Sequence, residues 1–291
     1  MSTKAVVAAT DGSGESQRAV EWAAREAALR SVPLRIVSAA SLPKMVVLEL
    51  QPEREAALGF VRDYRDRALA DAAAWAAEMA PGLLIGTDPV EGQAARAVTE
   101  SGSDALMLVV GFRGIGAFAA MVLGSVARYA ADHVSCPVVV VRGETAAVHR
   151  LVGVGVGDLD DGGAALAFAF EEAALRKASL LAVHAWHAPQ DGTVWAGGRF
   201  PPPGLHVAAS AAARRLTALM DTWREKYPEV PVSEDVVHAH PGRALADLSA
   251  SADLVVIGRH PSHSGLQGLG SVRHAVLHHA HGAIAIVPSC W

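Results

Sequence analysis

The chain has 291 residues, 51% hydrophobic and 19% charged, with a formal net charge of −5. That length supports two domains of ordinary size with cores of their own, so neither disulfides nor a metal is needed to close the fold. The acidic balance, with a pI near 6.2, excludes a surface built to neutralise nucleic-acid phosphates, and no apolar run reaches the roughly 20 residues that a membrane-spanning helix needs.

The first strand is expected at "KAVVAAT" (4–10), ended by Asp11-Gly12-Ser13. A helix follows over 15–30, with Ala19, Trp22, Ala23 and Ala27 on one face and charges on the other. Strand 33–39, a long loop 42–60, helix 61–79 and strand 83–90 come next. Helix 92–101, strand 105–111, a glycine-bearing loop, helix 125–133 and strand 137–142 complete the series. These strands are short and mostly continuously apolar, as in a parallel sheet covered by helices on both faces.

The series is then repeated. "EAALRSVPLRIVSAAS" (26–41) is similar to "EAALRKASLLAVHAWH" (172–187), "SDALMLVVGFRG" (103–114) to "ADLVVIGRHP" (252–261), and "LGSVARYAADHVSCPVVVV" (123–141) to "LGSVRHAVLHHAHGAIAIV" (269–287). All three pairs keep an offset of about 146 residues. The expectation is two copies of one α/β domain, 1–143 and 150–291, each a doubly wound five-stranded parallel sheet of Rossmann-like, flavodoxin-like type. Each copy ends in an apolar strand, 137–142 and 283–288, and such edges invite pairing. A homodimer, or a pseudo-dimer of the two copies within one chain, is expected.

Ligands of open α/β sheets bind at the carboxyl ends of the strands, where the strand order reverses. Asp11 and Gly111 both lie at such ends. Gly111 and Gly114 permit a tight exit and close approach of backbone to ligand. Gly124-Ser125 opens a helix whose first-turn amides and dipole favour an anion, and Arg113 can add charge. The spacing is neither a P-loop nor a dinucleotide fingerprint. It is Gly-x2-Gly-x9-Gly-Ser.

With "VVAATDGSGESQRAVEWA" at its head, this pattern resembles the universal stress protein family in its tandem two-domain form, whose fold is that of the adenine nucleotide alpha hydrolases. Members with the complete motif bind ATP, and Mg²⁺ ordinarily accompanies the phosphates. The resemblance implies that Asp11 contacts the adenosine end. Gly111, Gly114, Gly124 and Ser125, with Val126 beside them, would hold ribose and phosphates. Val37, Ala39 and Ala40, ending strand two, would line the adenine pocket. It also implies a stress-response or regulatory role. An ATP hydrolase of the related group and a nucleotide-free scaffold stay open as alternatives. No Walker lysine, kinase signature or Gly-x-Ser-x-Gly elbow is present, so no catalytic residue is assigned and an enzyme is not the favoured reading.

The second copy is altered. Gly157 aligns with Asp11, and the nearest acid, Asp158, is one residue out of register. Gly258 matches Gly111, but Pro261 stands where Gly114 should, and proline has no amide to donate. Gly270-Ser271 still opens a helix. This copy is expected to serve pairing or regulation. Its histidines, among them His238, His240, His260, His263, His274 and His278, are read as surface or interface residues. Cys136 and Cys290 stand in unrelated contexts, which fits a reducing compartment. The start "MSTKAVVAATDGS" lacks a signal-peptide pattern, so a cytoplasmic location is expected.

Overall fold

The computed structural model describes residues 4–40, 51–114, 123–143, 148–157, 163–186, 203–259, 271–289 and 291. In chain order the first half is β1 (Val6–Ala9), α1 (Gly14–Arg30), β2 (Leu34–Ala40), α2 (Gln51–Met79), β3 (Ile85–Glu91), α3 (Ala94–Ser101), β4 (Met107–Gly111), α4 (Ser125–His133) and β5 (Val138–Val141). The second half is β6 (Leu151–Gly155), α5 (Gly163–Arg176), β7 (Ser179–Trp186), α6 (Pro203–Lys226), β8 (Val232–His238), α7 (Pro241–Leu248), β9 (Leu254–Arg259), α8 (Ser271–His279) and β10 (Ile284–Pro288). Helix α2 begins at Gln51, inside the segment expected as a loop over 42–60. Glu55 suits the positive end of this helix. Gly59 costs the helix about 1 kcal/mol in backbone entropy but leaves no packing gap, since a Cβ there would meet nothing.

All ten strands form one sheet in the order β3-β2-β1-β4-β5-β10-β9-β6-β7-β8. Within each half every pairing is parallel. The halves join through one antiparallel ladder, β5 on β10, with Val140 opposite Ile284 and Val138 opposite Ile286. Both strands are wholly buried. The apolar edges that invite association are thus used within the chain. The free edges are instead β3 and β8, whose side chains alternate between partly buried and exposed, and β3 carries Pro89.

Alternation along the strands splits the core into two layers that run through both halves. Val6, Ala8, Met107, Val139 and Ala285 face α1, α2, α5 and α6. Val7, Ala9, Leu108, Val110, Val138 and Ile286 face α3, α4, α7 and α8. The strand order, not the strand direction, reverses between β1 and β4 in the first half and between β6 and β9 in the second.

Charged groups also cross the junction. On α1 and α5, Glu26 and Arg30 meet their repeat equivalents Glu172 and Arg176. Each arginine pairs with the acid one turn before it and with the acid of the other half, the cross-pairs Arg30–Glu172 and Arg176–Glu26 both at 2.5 Å. Both carboxylates are buried, at 1% and 0% exposure. On the opposite layer, Arg142 donates to the His278 carbonyl at the end of α8 (2.7 Å), and Arg259 donates to the Val134 carbonyl beyond the end of α4 (2.7 Å). Each half therefore supplies a cation to a helix C-terminus of the other.

Burial, then the like charge of Glu26, pushes the Glu172 carboxyl up to about 7, against the pull of Arg176 and Arg30. Removing one arginine leaves two buried acids sharing one cation. Arg30→Met is expected to lower unfolding free energy by about 3–5 kcal/mol, measured by urea denaturation. A carboxyl with a raised folded pKa binds its proton more tightly when folded, so its contribution is greatest at acid pH and is lost as pH rises through that value. The deficit of Arg30→Met should therefore be larger at pH 8 than at pH 5.5; an equal deficit at both would contradict this electrostatic reading.

Candidate nucleotide cleft

The turn after β1 is built from its own polar side chains. Ser13 caps α1 by accepting the Ser16 amide at 3.2 Å, and Asp11 Oδ1 accepts the Ser13 amide at 3.0 Å. Buried Thr10 and Ser16 share a hydroxyl–hydroxyl hydrogen bond of 3.2 Å beneath the turn, and the Asp11 amide donates to Ser16 Oγ. Gly12 takes φ +79°, a conformation that favours glycine. Tyr64 on α2 reaches over it and donates its hydroxyl to the Asp11 carbonyl at 3.2 Å.

The turn after β4 fits against this one. A Cβ on Gly111 would lie 2.8 Å from the Glu15 backbone at the start of α1, so this glycine lets helix and strand pack closely. A Cβ on Gly114 would overlap Asp11 Oδ2, so Gly114 leaves room for the aspartate carboxylate. Gly124 closes the loop by donating its amide to the Phe112 carbonyl at 2.9 Å. As the N-cap of α4 it has no side chain to offer, and no side chain caps this helix. The N–H groups of the first turn, at Ser125, Val126 and Ala127, border the cleft. They are complementary to an anion.

Together these turns enclose a cavity of about 280 Å³ at the carboxyl ends of β1 and β4. Of the residues singled out in the sequence, Asp11, Ala39, Gly111, Arg113, Gly114, Gly124, Ser125 and Val126 line it. Val37 and Ala40 do not. Both are buried, and Val37 packs with Ala9 and Val98 in the core. Periodicity explains this, since Val37 and Ala39 share a face but only Ala39 lies far enough along the strand. Thr10, Ser16, Ala94, Val98 and Leu123 also line the cavity, and the sequence reading missed them. Thr10 and Ser16 flank the Asp-Gly-Ser turn, which was the available signal; Val98 on α3 had none beyond its helical face. The result is a cleft with apolar walls (Ala9, Ala39, Val98, Val110), one carboxylate and an amide-rich end. Arg113 Nε is buried without a hydrogen-bond partner.

The corresponding cleft of the second half is smaller, about 170 Å³. Gly258 lines it, as expected. Pro241 stands where the first half has Ala94, and Arg273 where it has Ala127. The Arg273 guanidinium is buried beside Asp132 at 3.5 Å, and burial lowers its pKa. Asp158 and Gly270 lie outside the described residues, as do Pro261, His260 and His263, the stretch 41–50 and the stretch 187–202. Ser271 begins α8. Among the described residues no three His, Cys, Asp or Glu groups cluster as for a metal, and no helix is long and apolar enough to cross a membrane.

Comparison with known proteins gives the family. The profile of the Universal stress protein family matches residues 2–142 and again 149–288. A universal stress protein of Mycobacterium tuberculosis is 35% identical over 292 residues, covering 94% of each chain, and another from the same organism is 34% identical over 266 residues, 88% of this chain and 86% of its own. Among solved structures, a universal stress protein of Archaeoglobus fulgidus superposes with a TM-score of 0.69 over 99% of this chain and all of its own, at 15% identity, a likeness of fold. A universal stress protein solved in complex with cAMP is 27% identical over 49% of this chain and 99% of its own, with a TM-score of 0.37. The chain belongs to the universal stress protein family, as a tandem of two family domains in one polypeptide.

Proposed function

We propose that the first-half cleft binds ATP and that the protein is a nucleotide-responsive regulator in the cytoplasm rather than a catalyst. The observation that carries this reading is the joint placement of Asp11 and Gly114 beside the uncapped first turn of α4, at the reversal point of the sheet. Ala39 and Val98 offer an apolar wall for adenine. The Asp11 carboxylate, with Oδ1 tied to its own turn and Oδ2 over Gly114, can accept from the ribose hydroxyls. The amides of Ser125, Val126 and Ala127 and the Ser125 hydroxyl suit the phosphates, with Arg113 as counter-charge. Mg²⁺ would enter on the phosphates. Transfer chemistry would further require a positioned base for water and a clamp on the moving phosphoryl group. Nucleotide would then act by preferring one conformation of the chain over another.

The second cleft does not support the same reading. A proline replaces a small residue at its wall, and a buried guanidinium replaces a methyl at its amide end.

Calorimetric titration tests the assignment. Asp11→Asn keeps an acceptor for the Ser13 amide but removes the charge, and is expected to weaken ATP about tenfold. Arg113→Ala should weaken ATP by a similar factor while leaving adenosine unchanged. ATP binding unaffected by both substitutions would place the nucleotide elsewhere, and steady release of ADP or AMP would establish an enzyme instead. cAMP serves as the competing ligand.

The two glycines should separate. Gly111→Ala presses on backbone and is expected to cost about 1–3 kcal/mol of stability. Gly114→Ala presses on the Asp11 side chain, which can turn aside, so it should cost less stability and more ATP affinity. Equal stability losses would show that Gly114 does not serve Asp11.

A further inference from the structure

A cavity of about 590 Å³, twice the size of the first cleft, lies between the two halves where α1 and α5 meet. The ion quartet contributes Glu26 and Arg176 to its lining. Trp22 forms a wall, with the Arg176 guanidinium 5.6 Å from its ring centre. Leu29 and Val148 add an exposed apolar rim, 44% and 77% accessible. His149, Arg150 and His281 complete the polar part of the lining.

The charge of this lining is unbalanced. Glu26 is committed to Arg30 and Arg176. Asp253 spends its carboxylate on the amides of His149 (2.7 Å) and Leu151 (3.2 Å). Arg25 is held by Glu21 at 2.5 Å. Arg150 has no acidic partner among the described residues, and it is exposed.

The internal repeat shows what such a surface accepts. The offset that aligns Glu26 with Glu172 aligns Trp22 with Phe168. Phe168 packs edge-on against Trp291, ring centres 5.3 Å apart at 78°. In the second half this aromatic position is covered by the Trp291 indole, whereas Trp22, itself 7% exposed, turns its remaining surface to the cavity.

We infer that this cavity is a binding site for a small aromatic carboxylate, distinct from the nucleotide cleft. The ring packs on Trp22 between Leu29 and Val148, and the carboxylate meets Arg150 with His149 and His281 nearby. Both interactions have known worth: aromatic rings pair in edge-on or offset geometry, and a guanidinium–carboxylate hydrogen bond is charge-assisted.

Titration of the full chain with indole-3-acetate tests the inference, and neutral indole and ATP serve as comparisons. Saturable one-to-one binding is expected. Arg150→Asn, which tolerates the local φ of +54°, should weaken indole-3-acetate about tenfold and indole hardly at all. Val148→Asp, at an exposed position, should weaken it comparably by placing a like charge at the rim. ATP should bind equally with the site full or empty. The inference is overturned by no saturable binding at millimolar concentration, by binding that neither substitution alters, or by displacement with ATP. The indole-3-acetate titrations and both substitutions are read without ATP, so they stand whether or not the nucleotide assignment holds.

Discussion

The antiparallel ladder between β5 and β10 is the constraint on which the rest of this molecule depends. Each half on its own would present a wholly apolar, wholly buried-type strand as a free edge, a template for association with any similar chain. Pairing the two within one polypeptide converts that hazard into the centre of a ten-stranded sheet and leaves only polar, alternating strands at the rims. Once the ladder is fixed, α1 and α5 must meet on one face, and the ends of α4 and α8 must meet arginines of the opposite half on the other.

Those charged contacts are specific in a way that the ladder is not. The ladder itself joins apolar strands whose side chains tolerate some exchange of partners. Four charges removed from water tolerate one arrangement, because any slip leaves a carboxylate or guanidinium unpaired at a cost of several kcal/mol. The quartet is satisfied in the register the ladder adopts, and a slip would cost its pairing. On the other layer α4 meets the second half, since Arg259 at the end of β9 holds the carbonyl of Val134 beyond the C-terminus of α4. The second half thus touches the helix that borders the first cleft.

Much of this was legible in the sequence. The repeat, the continuous apolar strands and the placement of Asp11 and Gly111 at strand ends sufficed for the fold and for the position of the cleft, because period and punctuation are local signals. What escaped was set by contacts between distant segments. "EAALR" occurs twice and was visible as a repeat, yet nothing local shows that its glutamates and arginines face each other across a dyad. Gly111 reads as a ligand-binding glycine, and the structure shows α1 packed against it. Val37 reads as pocket by its place on β2, and its burial beside Val98 makes it core. The start of α2 falls inside the segment expected as a loop over 42–60, where the 29-residue length of the helix outweighs one glycine. The changes to Pro241 and Arg273 in the second cleft are plain in the sequence, but their meaning appears only once the first cleft shows which small residues they replace.

Of the two clefts, the first alone is proposed to take nucleotide. Native mass spectrometry of the full chain equilibrated with excess Mg²⁺-ATP measures this directly, by counting ligands on each intact molecule. One ATP per chain is the expected result, with no doubly occupied species growing in as concentration rises. Two per chain would show that the proline and the buried arginine of the second cleft do not close it, and none would show that the first cleft is a structural fitting of two turns rather than a binding site.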